Sequence, residues 1–151
     1  MFSDEPLTRE GMMNSIEITP RTHDFLNREP GLLAVIGTNG KHGYPLMVPV
    51  WFRWDGEAIV VWSLGSRTWI QNLIRDPKAG VTVQEEAAPQ MAVIMRGEAS
   101  IETSDGPHVD EEIRRITRRY VSEEKVEDYI RDWSSLRTIV RIVPRKIFVW
   151  V

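Results

Sequence analysis

Short apolar or alternating runs separated by turn residues dominate the chain, a pattern that predicts strands more than helices. "LLAVIGT" (32–38) is a compact apolar run, and "NGKHG" after it carries the Asn-Gly signal of a tight reversal. "YPLMVPVWFRW" (44–54) is extended and aromatic, and "DGEA" is a second hairpin signal before "IVVWS" (59–63). These three strands are expected to form an antiparallel meander. "AGVTVQ" (79–84) and "MAVIMRGEASIE" (91–102) read as further strands around the loop "EEAAPQ". In the second of them Met95, Ala99 and Ile101 face one way, while Arg96, Glu98, Ser100 and Glu102 face the other. Gly97 between them marks a bulge or a close backbone approach. "RTIVRIVP" (137–144) and "KIFVWV" (146–151) close the chain as two strands.

Helical spacing is confined to four places. Thr19-Pro20 supplies an N-cap and a proline at the first helical position of a short helix reaching about Arg28. A second helix follows "WSLGSR", with Trp69, Ile70, Leu73 and Ile74 on its apolar side and Asp76-Pro77 ending it. Asp110 to Val121 places Ile113, Ile116, Tyr120 and Val121 on one face, with acids early and arginines late, as the helix dipole prefers. Ser122 caps a fourth helix with Val126, Tyr129, Ile130 and Trp133 at helical spacing. Residues 1–18 show no period and are expected to be a lead-in, with Met12 and Met13 as alternative starts, leaving 19–151 as one domain. Six or seven strands in hairpins, with helices inserted late, predict a mainly β fold, a small antiparallel barrel.

Composition narrows the chemistry. A net charge of −3 lacks the basic face that phosphate contacts on nucleic acid require. With no cysteine, disulfides, thiolate chemistry and Cys-ligated metals are excluded. No apolar run approaches a membrane span, so a cytoplasmic location without membrane contact is expected. His23, His42 and His108 are scattered and read as surface residues, and no nucleophile elbow, P-loop or dinucleotide fingerprint is present.

Two segments carry positive signals. In "WSLGSRTWIQNLIRDP" (62–77) a strand runs through Gly65 and Ser66 into a helix with Arg67 in its first turn. The first N–H groups of a helix lack internal partners and can hold an anion. Gly65 would allow close approach, Ser66 would cap or donate its hydroxyl, and Arg67 would add a planar fork suited to phosphate oxygens. The plainer alternative is a capped corner with a solvated arginine. In "PLMVPVWF" (45–52), Pro45 and Pro49 direct both missing donors at one strand edge, which cannot then be fully paired. Such an edge leaves a gap where a flat ring could lie against Val50 and Trp51, or it is a proline-guarded edge strand and nothing more. Trp51, Trp54, Trp62 and Trp69 cluster around these segments.

From about Thr19 to Val151 the order of these motifs resembles the FMN-binding split-barrel superfamily related to pyridoxamine-phosphate oxidase, closest to its short flavin- and deazaflavin-dependent members. The resemblance implies a Greek-key split β-barrel of six or seven strands and a homodimer with a flavin-type cofactor at the subunit interface. It implies FMN, or alternatively the deazaflavin coenzyme F-420, with Val50 and Trp51 along the ring system. Ser63, Ser66 and Arg67 would approach the phosphate, and Thr68, Trp69 and Gln71 would belong to the same cofactor site. Trp62 would face a small flat substrate, and Pro89, Gln90 and Met91 would come from the partner chain. Lys41 and Arg53 are candidates for an acidic cofactor tail.

The chain also departs from the family pattern. Many members read Arg-x-Lys-x-Arg-Asn-Leu where this chain reads "RTWIQNL", so Trp69 replaces the lysine and Gln71 the second arginine. Weaker phosphate binding is therefore expected. The enzymes that give the family its name end in an Arg-rich substrate segment, whereas this chain ends "RIVPRKIFVWV". The resemblance implies an oxidoreductase, with a flavin- or haem-binding dimer that carries or senses the cofactor as the alternative.

Overall fold

The computed structural model describes residues 17–133 and 136–150, so most of the expected lead-in lies outside the described residues. Among the described residues four helices accompany seven strands: α1 (Pro20–Leu26), β1 (Ala34–Asn39), β2 (Pro45–Val50), β3 (Arg53–Trp54), β4 (Ile59–Leu64), α2 (Thr68–Arg75), β5 (Lys78–Gln84), β6 (Ala92–Thr103), α3 (Pro107–Thr117), α4 (Glu123–Asp132) and β7 (Arg137–Trp150). The strands form one antiparallel sheet in the order β2-β1-β5-β6-β7-β4-β3.

That order explains why the sheet curls. β2 and β3 lie at opposite edges, yet only Trp51 and Phe52 join them. Six spacings between neighbouring strands would separate the edges of a flat sheet by about 29 Å. The link from Val50 to Arg53 reaches at most about 11 Å. The edges must therefore face each other, which makes the sheet a half-barrel with a split between β2 and the β3–β4 hairpin. The expected meander is corrected here. The run 44–54 is two strands, because the chain turns at Trp51-Phe52 and pairs its halves with different neighbours.

The turn is fixed by residues just beyond α3. Tyr120's hydroxyl accepts from the Phe52 N–H (3.1 Å) and donates to the Leu32 carbonyl (2.6 Å). Arg119 is 8% exposed and donates to the carbonyls of Phe52, Leu26 (3.0 Å) and Arg28 (3.0 Å). Its guanidinium also lies over the Phe52 ring, 4.7 Å from the centroid. Burial pulls the Arg119 pKa below its usual value and pushes that of Tyr120 up. Gly31 is obligatory beside them, since an added Cβ would sit 2.6 Å from the Tyr120 ring.

Phe52, Trp54, Ile59, Ile70, Met95 and Ile142 belong to the barrel core. A smaller cluster lies under α3, where Val109, Ile113 and Ile116 cover Ala58, Val60 and Ile139. β6 alternates as expected, and Gly97 serves both expected purposes. The register with β7 shifts between Arg96 and Gly97, and an added Cβ would meet the Val143 carbonyl at 2.3 Å. The shift lets β7 run unbroken from Arg137 to Trp150 instead of as two strands.

Other boundaries also change. α1 ends at Leu26, and α3 begins at Pro107 with Gly106 as N-cap, leaving Tyr120 outside the helix. His23 is not a free surface residue, for its Nδ1 accepts from Trp54 Nε1 at 2.8 Å. Among the described residues no helix is long and apolar enough to cross a membrane.

Two stability measurements follow from this frame. Replacing Arg119 by Met would orphan the buried Leu26 carbonyl, at about 1–3 kcal/mol, and remove one donor each from the Arg28 carbonyl and from that of Phe52, which keeps the Tyr120 hydroxyl at 3.2 Å. Urea unfolding should then show a loss of about 2 kcal/mol, and a loss below about 1 kcal/mol would contradict the clamp. At the β3–β4 turn, Asp55 accepts from the amides of Glu57 (2.8 Å) and Ala58 (2.7 Å) and pairs with Arg141. Burial works to raise the Asp55 pKa, but the two amides and Arg141 outweigh it and hold the carboxyl below its usual value. A depressed native pKa adds stability above the unfolded-state value of about 3.9 and loses it as pH falls through the native one. Asp55→Ala should therefore cost about 1–2 kcal/mol at neutral pH, with the difference from wild type closing below pH ~4. A gap that persists in acid would refute this account of the turn.

Candidate functional site

The split between the barrel edges opens into a cavity of about 580 Å³. β2 contributes Val48, Pro49 and Val50 to its wall, and Trp51 follows them from the turn. β4 contributes Trp62, Ser63 and Leu64, and the α2 corner contributes Arg67 and Trp69. Tyr129 and Trp133 reach it from α4, and Leu33 completes the wall. β2 is an edge strand, as its prolines require, with Pro45 opposite Asn39 and Pro49 opposite Val35 in the β1 register.

Trp51 is held from two sides. Its ring stacks on Tyr120 with centroids 5.0 Å apart and planes 4° from parallel, and Tyr129 tilts against it at 5.4 Å. The clamp that turns the chain thus also sets the plane of one cavity wall. Trp54, three residues on, points into the barrel core and takes no part in the cavity.

Arg67 is the one charged side chain among the described residues lining the cavity. It is exposed, and among the described residues no carboxylate lies within ion-pair distance of it. It is also the N-cap of α2 and makes no capping bond through its side chain. The first amide to bond back is that of Gln71, to the Arg67 carbonyl at 3.1 Å, so the first-turn amides before it have no intrahelical acceptor. An unpaired guanidinium beside uncapped helix amides, in an otherwise uncharged aromatic cavity, is suited to the anionic end of a flat ligand.

The predicted site residues divide into two groups. Val50, Trp51, Trp62, Ser63, Arg67 and Trp69 share the cavity. Ser66, Thr68 and Gln71 instead line a second cavity of about 680 Å³, with Lys41 and His42 of the β1–β2 turn and Arg75 of α2. Ser66 is not the α2 cap, and Gln71 donates its side-chain amide to the Gly65 carbonyl at 2.8 Å, bracing the corner. Gly65 serves packing, because an added Cβ would lie 3.0 Å from Thr138 Oγ1 and its own N–H bonds the Leu136 carbonyl at 2.8 Å. Trp69 is 6% exposed and joins the barrel core while presenting part of its ring to the cavity.

Arg53 is unavailable to a ligand tail, because Glu112 holds it through two 2.7 Å bonds. Pro89, Gln90 and Met91 line a separate cavity beside α1. Sequence reasoning missed Tyr129 and Trp133 as site residues. The sequence shows an aromatic-rich α4 face, and the fold adds that Val126 is its one fully buried residue.

Solved structures of similar fold include Rv2991, a conserved hypothetical protein of Mycobacterium tuberculosis, with 19% identity, 94% of this chain and 89% of that chain covered, and a TM-score of 0.73. An F420 reductase aligns with 20% identity over 85% of this chain and 98% of its own, with a TM-score of 0.67. A FAD-binding protein from Mesorhizobium loti aligns with 14% identity over 79% of this chain and 83% of its own, with a TM-score of 0.57. At these identities the likeness is one of fold. No curated protein matches the sequence. The family model described as pyridoxamine 5'-phosphate oxidase matches residues 18–151, and the chain belongs to that family.

Proposed function

We propose that the cavity between β2 and β4 seats a flavin-type cofactor and that the protein is a cytoplasmic oxidoreductase acting on a small flat organic substrate. The observation that carries this reading is Arg67, a cation without a carboxylate partner among the described residues, set in an aromatic cavity along a proline-blocked strand edge. FMN is the first candidate and the deazaflavin coenzyme F-420 the second, a choice supported by family membership and by neighbours named as an F420 reductase and a FAD-binding protein. When bound, such a group supplies the hydride or electron transfer itself. Trp51 would lie along the ring system, Ser63 and Arg67 would hold the anionic end, and the surrounding tryptophans would exclude water.

The same reading includes a homodimer with the site at its interface. No β2 residue is buried, and Tyr44, Met47 and Leu33 expose large apolar surface beside that strand. A sedimentation mass equal to one chain would remove the dimer from the reading.

Two observations favour a second reading, a flavin-binding carrier or sensor without turnover. No carboxylate, histidine or lysine lines the cavity among the described residues, and the second and third phosphate cations of the family pattern are replaced by Trp69 and Gln71. Haem is less favoured, because none of the three histidines lines the cavity. Turnover separates the two readings. After reduction of the bound flavin, rapid reoxidation by an added organic acceptor without oxygen belongs to the oxidoreductase alone.

The decisive titration compares FMN with riboflavin, which has the same ring but no phosphate. Arg67→Ala should weaken FMN about tenfold, or about 1.4 kcal/mol, and leave riboflavin nearly unchanged. Equal losses for both ligands, or no FMN binding by the wild type, would refute the assigned seat.

A further inference from the structure

α4 contributes to the cavity without belonging to the barrel, and it is lightly anchored. Val126 is its one buried residue, and its other ties include Arg114 to Glu127 at 2.7 Å and Arg118 to Glu123 at 3.2 Å, between exposed or half-exposed side chains. Yet α4 turns two large rings toward the cavity. Tyr129 rests on Trp51, and Trp133, at the helix C-cap, is 38% exposed where it lines the opening. Burying them against the barrel would have added stability at no cost in composition. Their placement instead leaves an aromatic surface opposite the β2 and β4 walls.

The charge of the cavity is equally specific. Among the described lining residues there is no carboxylate, histidine or lysine, and Arg67 is the sole ion. A ring bearing positive charge would gain attraction from the aromatic faces. It would find no counter-ion, however, and would share the cavity with a guanidinium. A neutral ring of the same shape gains the stacking without that penalty.

We infer that α4 is the substrate-selecting wall, on which Tyr129 and Trp133 stack a flat, apolar ring that carries no positive charge. The inference deepens the proposed oxidoreductase reading and rests on the same cavity, but it concerns a second ligand and different residues. Tyr129 and Trp133 are specificity residues; Tyr120 is a positioning residue, acting through Trp51 and the turn at Phe52.

Quinoline and N-methylquinolinium are suitable probes, being nearly identical in shape and differing in charge. Equilibrium dialysis with the full chain, with and without saturating FMN, should show quinoline binding at least tenfold more tightly than the cation. Trp133→Ala and Tyr129→Ala should each weaken quinoline fivefold or more, Trp133→Ala should change FMN affinity less than twofold, and Trp133→Phe should recover most of the loss. Unchanged urea midpoints for the Trp133 variants would keep folding out of the comparison. Equal or tighter binding of N-methylquinolinium would overturn the inference, as would variants that leave quinoline unaffected or a Trp133→Ala variant that loses FMN in equal measure. Failure of the cofactor reading is separable. If the wild type ignores FMN but keeps the tenfold preference and its dependence on Trp133, the wall stands and the flavin falls.

Discussion

Arg119 and Tyr120 satisfy backbone groups that no strand can reach, and the site depends on their doing so. A chain crossing from one sheet edge to the other within two residues leaves the amide and carbonyl of Phe52 outside any ladder. Buried polar groups without partners are costly, so a turn at this point exists only if side chains replace the ladder. Tyr120's hydroxyl and Arg119's guanidinium do this for Phe52 and for carbonyls at Leu26, Arg28 and Leu32. The main chain answers in turn, since the Gly31 N–H bonds the Arg119 carbonyl at 2.9 Å. One joint thus ties α1, the approach to β1 and the β2–β3 turn to the end of α3.

From that joint the cavity follows. With its edges brought face to face, the sheet could close if β2 offered a full row of donors, but Pro45 and Pro49 remove two of them. The split stays open and is lined by what the turn leaves there, Trp51 stacked on Tyr120, with Trp62 and Trp69 from the neighbouring elements. Arg67 and the uncapped first-turn amides of α2 lie at one end of it. The tryptophan at position 69 completes the wall with aromatic surface.

Features that depend on local chemistry were legible in the sequence. Asn-Gly and Asp-Gly turns, Thr19 with Pro20, the alternation of β6 and the edge prolines each act within a few residues, and each appears where the pattern places it. The site was half legible. Val50, Trp51, Trp62, Ser63, Arg67 and Trp69 converge, because a strand–corner–helix motif positions its own residues. The rest was hidden by long-range effects. Nothing near Phe52 announces that residues 67 and 68 positions later would break its strand. Gln71 looked available until the Gly65 carbonyl claimed its amide, and Arg53 until Glu112 did. Tyr129 and Trp133 read as an ordinary helix face, and only the folded α4 shows how little of that face it buries.

Amide hydrogen exchange at Phe52, in the wild type and in Tyr120→Phe, tests the joint most directly. The account predicts that the wild-type Phe52 amide is protected as well as the central β6–β7 amides, and that losing one hydroxyl removes that protection while β6 and β7 keep theirs. A Phe52 amide that exchanges in the wild type as fast as the exposed turn at Gly56, or one that stays protected in Tyr120→Phe, would contradict it.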